Sequence, residues 1–293
     1  MSGALFVFGL GYTARALVDR MRARLSAVWG TTRSAAPPLA PALGATPIIF
    51  DGNAPSPAVS QALAGADHVL VSIPPGEAGD PVLNHHAGDL AAHKPLSIVY
   101  FSTVGVYGDH GGAWVDETSE CRPVSARSRQ RLEAEAGWRR FGEETGAPVA
   151  IIRLAGIYGP ARGPFEKLRR GTARRIVKPG QVFNRIHVDD IAAIVEAAFA
   201  RRAEGIFNGV DDAPAPPEEV LAFAAELLGL PPPPEVSFER AELSPMARSF
   251  YGESKRVRND KIKRDLGVRL AYPSYREGLR AVLAAETSAA PKP

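Results

Sequence analysis

Short apolar runs alternate with amphipathic stretches through the first half of the chain. Residues 4–8, 27–32, 47–50, 68–73, 96–102 and 148–154 read as strands. Between them, residues 13–25 place Ala16, Leu17 and Met21 along one side of a helix, and 59–64, 82–92 and 127–144 read as further helices. Strands that are apolar on both faces need cover on both faces, and the intervening helices provide it. The pattern therefore predicts an α/β fold with a doubly wound parallel sheet.

Beyond residue 155 the pattern changes. Gly and Pro punctuate the chain at Gly159-Pro160, Gly163-Pro164 and Pro179-Gly180. A helix is expected at 190–201, a short strand at 205–208, a helix at 217–228, a stiff connector at 231–234 and a closing helix within 272–286. Residues 287–293 are expected to fray. No internal repeat stands out, and this half reads as a small cap on the sheet.

Composition narrows the function classes. The chain has 293 residues, 45% hydrophobic, with a net charge of +3 and a single cysteine. Cys121 alone forms no disulfide framework or thiolate zinc site and is read as structural. The apolar run at 4–10 is too short to span a bilayer and lacks the flanks of a signal peptide. The expectation is a cytoplasmic protein without a membrane segment. A charge surplus this small does not indicate a nucleic-acid partner.

Phe8-Gly9-Leu10-Gly11-Tyr12-Thr13-Ala14 follows the first strand and opens the first helix. This G-x-G-x-x-A pattern suits a dinucleotide. Gly9 permits the tight turn, Gly11 allows close approach of a diphosphate, and Ala14 allows close helix–strand packing. The amides of Tyr12 and Thr13 then open the helix. The second strand ends in Gly30-Thr31-Thr32-Arg33, where an NAD-selective site would carry an acid. Arg33 and the hydroxyls of Thr31 and Thr32 suit a 2′-phosphate instead, so NADP is expected, with NAD as the alternative. Arg33 is otherwise a solvated strand end. Asp51 either accepts a hydrogen bond from the adenine amino group or caps its own turn. Ile73 and Pro74 end the fourth strand and are expected along the cofactor.

Three further motifs follow in order. They are Phe101-Ser102-Thr103-Val104-Gly105-Val106-Tyr107-Gly108, Arg153-Leu154-Ala155-Gly156-Ile157-Tyr158-Gly159-Pro160 and Arg185-Ile186-His187-Val188-Asp189-Asp190-Ile191-Ala192. With the glycine motif, the set resembles the extended short-chain dehydrogenase/reductase superfamily, and within it the NAD-dependent epimerase/dehydratase group. The resemblance runs from residue 3 to about 285. It implies a Rossmann domain over 1–160 plus part of 185–210, and a substrate lobe over 161–184 and 211–293. Many relatives dimerise through a bundle that includes the 127–144 helix, so it also implies a homodimer.

The family's strand-end Ser or Thr matches Thr103, which would hydrogen-bond the reacting oxygen. The family's Tyr-x-x-x-Lys is missing. Arg127 stands at the Tyr position and Arg131 at the Lys position. A guanidinium binds phosphate or ribose but is no general base at neutral pH. The family's usual G-x-x-G-x-x-G is also replaced. Both departures resemble the atypical branch, which includes reductases with other acids and non-catalytic dinucleotide sensors. Tyr107 is a second phenol candidate and otherwise a packing residue.

Other candidates carry less. Asp116 and Glu117 are placed in a loop facing the cleft. His187 reads as a packed residue, with Asp189 or Asp190 as helix cap. His85 and His86 are adjacent and point in different directions, so no metal site is expected. The basic stretch from Arg162 to Arg185 faces an anionic substrate or solvent, and a cluster from Lys255 to Arg264 caps the same lobe or opens a solvated helix. Together these readings point to NADP(H)-linked hydride transfer at a carbonyl or alcohol carbon of a small molecule, either phosphorylated or a nucleotide sugar. A nucleotide-sugar epimerase or dehydratase and a non-catalytic NADP(H) sensor are the alternatives.

Overall fold

The chain begins in the middle of its sheet and winds outward in both directions. The computed structural model describes residues 3–34 and 43–289. Its central sheet contains β1 (Gly3–Phe8), β2 (Leu25–Thr32), β3 (Thr46–Ile49), β4 (His68–Val71), β5 (Ser97–Thr103), β6 (Val149–Leu154) and β7 (Gly205–Gly209). They lie in the order β7-β6-β5-β4-β1-β2-β3, and every pairing is parallel. Parallel neighbours need crossovers, which here carry the helices. The winding reverses between β1 and β4, and crevices at such switch points take ligands beyond the strand C-termini.

The sheet is buried because its residues alternate into two cores. Leu5, Val7, Val99 and Ile152 face α1 (Tyr12–Met21), which supplies Leu17 and Val18. Phe6, Phe8, Ile98 and Ile151 face the opposite layer of α2 (Pro57–Leu63), α3 (Pro81–His93) and α4 (Ala126–Thr145). Helix α5 (Val188–Arg201) packs beside α1, adding Ile194 and Val195. A third core joins Tyr158, Phe165 and Leu168 to α6 (Pro217–Leu227) and α8 (Tyr275–Ala289). Helix α7 (Asp260–Leu266) instead sends Ile262 and Leu266 into the first core.

Two of the boundaries that differ from the sequence pattern have a direct physical reason. The helix expected over 13–25 stops at Met21, residues 22–24 make one tight turn, and β2 starts at Leu25 because it pairs with Gly3. The fourth strand ends at Val71, not 73. Ser72 still donates to the Phe8 carbonyl, but Pro74 has no N–H to continue the ladder. Three small parallel pairs were not visible in the pattern: Trp114–Val115 with Arg256–Val257, Gly156–Tyr158 with Arg185–His187, and Arg175–Val177 with Glu235–Ser237. Two or three residues are too few to display a period.

One ion pair is enclosed between the sheet and α4. Arg153 on β6 meets Glu135 at 2.7 Å, with 3% and 2% of their side chains exposed. The Ser102 hydroxyl also donates to Glu135 at 2.6 Å, and the Arg153 guanidinium covers the Tyr107 ring at 4.8 Å. Removing one partner leaves the other charge buried alone, which costs about 3–5 kcal/mol. Glu135→Ala is therefore expected to lower unfolding stability by about that amount in urea titration.

Candidate functional site

The glycine turn brings β1 against its neighbours on both sides. Gly9 has φ +92, and a Cβ there would stand 2.6 Å from Ile73 Cγ2. Its N–H donates to Thr31 Oγ1 at 2.8 Å, and Leu10 N–H to the Thr31 carbonyl at 2.9 Å. Only glycine fits a positive φ at so close an approach. Gly11 caps α1 without a side chain, the first turn holds no acid, and a Cβ on Gly11 would meet nothing within 4 Å. The opening and the helix amides, uncapped by any side chain among the described residues, fit a dinucleotide diphosphate. Thr13 is buried beneath them. Arg15 braces the loop by donating from Nε to the Leu10 carbonyl. Tyr12 Oη donates to the Pro160 carbonyl at 3.0 Å, and Arg162 lies over its ring.

At the β2 and β3 end, Thr32 and Arg33 part company with Thr31. Thr31 is buried and belongs to the glycine turn, whereas the Thr32 hydroxyl donates to Ser34 and Arg33 is exposed. Asp51 holds its own turn, accepting from the backbone and side-chain amides of Asn53 at 2.9 Å. The Asn53 backbone bond, then its side-chain bond, hold the Asp51 carboxyl below the usual range. Ile73 packs on Gly9, and Pro74 is exposed beside it.

Thr103 ends β5 two strands away. Its oxygen accepts the Gly105 N–H at 3.1 Å, which leaves its proton to donate. A Cβ on Gly105 would lie 2.9 Å from Ser128 Oγ, so the first turn of α4 sits directly on this loop. Ser125 caps α4 and donates to Ser128 at 2.9 Å. Arg131 is committed to β5 through the Phe101 carbonyl and the Tyr100 hydroxyl, while Arg127 is exposed. Tyr107 is enclosed. Its phenol donates to Asn208 at 2.8 Å, and burial pushes it up to about 12. That gives Tyr107 the packing role, with no proton facing the cleft.

The loop that follows is fastened to the lobe. Lys255 is buried and donates to the Gly108 carbonyl, and Ser254 accepts from His110 and Gly112. The basic cluster at 255–264 is therefore partly internal. Glu117 turns inward to accept the Asn208 N–H, and burial raises its carboxyl, while Asp116 serves its own turn with Thr118 and Ser119.

His187 is the cap of α5, accepting the Asp189 N–H at 3.2 Å, and burial lowers its pKa against the pull of Asp189. Neither expected cap serves: Asp189 lies exposed beside His187, and Asp190 accepts from Ala271 and Tyr272. His86 is buried against Asp89, and among the described residues no group of His, Cys, Asp and Glu is placed to hold a metal. In the basic stretch, Arg169, Arg170 and Arg175 pair with Glu286, Glu166 and Glu235. Arg174, Lys178 and Arg185 donate to backbone carbonyls. These charges are largely spent on the lobe itself.

Sequence reasoning missed Thr31 as the anchor of the glycine turn, the Ser125–Ser128 pair and Asn208. Thr31 and Asn208 act through contacts between elements that no local pattern encodes, whereas Ser125 and Ser128 stand at cap spacing, a local signal. It also missed Asp211, just past β7. Asp211 is 2% exposed, Oδ1 accepts from Ala213 N–H at 3.2 Å, and Oδ2 has no partner among the described residues. Burial pushes its carboxyl up to about 8, although Arg185 opposes this.

The family model for the NAD-dependent epimerase/dehydratase family matches residues 83–208. Protein YeeZ of Escherichia coli K12 is 30% identical over 222 residues, covering 72% of this chain and 74% of YeeZ. The chain belongs to the NAD-dependent epimerase/dehydratase family. A conserved protein of unknown function from Silicibacter pomeroyi has 49% identity and a TM-score of 0.89, over 97% of this chain and 99% of that one. Family members at far lower identity share the fold. The dTDP-glucose 4,6-dehydratase of Bacillus anthracis, solved in complex with NAD, has 14% identity and a TM-score of 0.80, over 99% and 98% of the two chains. No helix among the described residues is long and apolar enough to cross a membrane.

Asp211 yields a pH prediction. An unfolded Asp ionises near pH 4, whereas this one stays protonated until about 8. Between those values the unfolded state binds fewer protons, so stability falls as pH rises, by up to about 1.4 kcal/mol per unit. Asp211→Asn removes that slope. Urea unfolding should show the variant gaining on the wild type from pH 5 to pH 8; a constant difference would refute it.

Proposed function

We propose that this chain is an NADP(H)-dependent oxidoreductase acting at a carbonyl or alcohol carbon of an anionic small molecule. The observation that carries the reading is the opening over Gly11 at the bare N-terminus of α1, on the same sheet edge as Thr103. The amides of α1 would hold the diphosphate, and Thr32 with Arg33 the 2′-phosphate. Ile73 and Pro74 would line the groove, and Asp51, fixed by Asn53, would stand at the adenine end. A bound nicotinamide supplies hydride chemistry. Thr103 would donate its hydroxyl proton to the substrate oxygen and orient it. Arg127, the freer of the two guanidinium groups, would meet a ribose or an anionic group, while Arg131 braces β5. The lobe over 161–184 and 211–293 would take the substrate.

A second reading, a nucleotide-sugar epimerase or dehydratase, is supported by the likeness in fold to the Bacillus anthracis dehydratase. Such an enzyme regenerates its cofactor within each turnover. Cofactor that co-purifies, with turnover of nucleotide sugars in the absence of added NADPH, would select it. Under the first reading, turnover requires added nucleotide.

Nicotinamide fluorescence titrations with NADPH and NADH test the cofactor. Arg33→Asp should cost NADPH affinity about tenfold and shift the preference towards NADH. An unchanged ratio would remove Arg33 from the 2′-phosphate. Thr103→Ala should lower turnover about 10²-fold across carbonyl and nucleotide-sugar substrates while leaving nucleotide affinity intact. Wild-type turnover in that variant would end its assignment.

A further inference from the structure

Arg162 opens the basic stretch of the lobe, yet it is placed unlike the rest. Its guanidinium lies over the ring of Tyr12, 5.5 Å from the centroid, and the residue is exposed. Among the described residues it makes no ion pair, whereas Arg169, Arg170 and Arg175 meet glutamates and Arg174, Lys178 and Arg185 meet carbonyls. Tyr12 is the first residue of α1. The cation is thus held beside the helix end that is itself partially positive, and the first turn has no acid to offset it. Asp189 also faces Tyr12, but it sits at the start of α5 against His187. Two positive groups side by side above an open groove favour an anion there.

The segment that carries Arg162 is fixed in position. Gly159 and Arg162 exchange backbone hydrogen bonds of 3.1 and 3.0 Å, and Ala161 between them is left-handed at φ +57. A non-glycine residue holds that conformation only where its surroundings enforce it. Tyr12 meets the turn from outside, its hydroxyl donating to the Pro160 carbonyl across 148 residues of sequence. A Cβ on Gly159 would stand 2.5 Å from that hydroxyl, so the turn is shaped around it.

We infer that residues 159–162 form a strap over the dinucleotide groove, fastened by Tyr12, with Arg162 reaching the diphosphate of the cofactor. The inference rests on the dinucleotide reading above and reassigns one cation of the substrate stretch to the nucleotide. The diphosphate is common to NADPH and NADH. Arg162 therefore sets affinity for both, in contrast to Arg33, which sets their ratio.

The test compares the wild type with Tyr12→Phe, Arg162→Gln and Lys167→Gln, the last an exposed cation of the same stretch. NADPH and NADH binding and dissociation are followed by stopped-flow fluorescence, and amide exchange of residues 159–162 is measured without nucleotide. Arg162→Gln should weaken both nucleotides by a similar factor, about tenfold. Tyr12→Phe should speed dissociation about fivefold and raise exchange at Gly159 and Arg162. Lys167→Gln should match the wild type. The strap is overturned if Arg162→Gln binds both nucleotides normally, if it weakens NADPH alone, or if Tyr12→Phe changes neither dissociation nor exchange. A wild type that binds neither nucleotide overturns the dinucleotide reading itself, a result distinct from tight binding with indifferent variants.

Discussion

The turn at Gly9 is the constraint from which the rest of the site follows. β1 must pass into α1 at a positive φ while its backbone lies against Ile73 on one side and Thr31 on the other. A side chain at Gly9 would force β4 away from β1, and these two strands flank the point where the winding of the sheet reverses. Because the turn is this tight, α1 starts immediately above the sheet edge, and among the described residues no side chain caps its first turn. The groove is a consequence of backbone packing, and the side chains refine it.

The second support is polar and lies underneath. Glu135 and Arg153 tie α4 to β6, Ser102 ties β5 to Glu135, and Tyr107 continues the network to Asn208 on β7. This arrangement fixes the start of α4 and the loop after Thr103 relative to each other. It also explains why Tyr107 is unsuited to proton transfer: its hydroxyl is a structural donor, and its ring shields a buried guanidinium. Beside it, the end of β5 and the first turns of α4 carry hydroxyls and guanidinium groups in place of a phenol and an amine. Thr103, Ser125 and Ser128 hold protons, while Arg127 and Arg131 hold permanent charge. Such a set orients and stabilises an anionic oxygen more readily than it removes a proton.

The lobe is bound to the sheet by backbone contacts that the sequence hides. Ser254 accepts from two amides of the loop after β5, Asp190 collects two amides from 271 and 272, and Lys255 closes on Gly108. Several charges that looked free in the sequence are consumed this way. The basic stretch after residue 162 is mostly internal bookkeeping of the lobe, and the cluster after 255 is partly a seam between the lobe and the sheet.

The sequence by itself determined the doubly wound sheet, the glycine turn and the strand-end position of Thr103. These are local facts: an apolar run of a given length, a glycine where a strand meets a helix, a hydroxyl at the end of a run. Short-range sterics and burial on both faces decide them, and both are written in consecutive residues. Only the tertiary structure decided that Thr31 serves Gly9, that Tyr107 is shut in by Arg153, that Asp211 is buried with no ion-pair partner among the described residues and that Arg162 returns to Tyr12. Each depends on which elements pack together and not on neighbours in sequence; Gly9 and Thr31 are 22 residues apart. A side chain's chemistry is legible in its residue type, but its partner is set by packing.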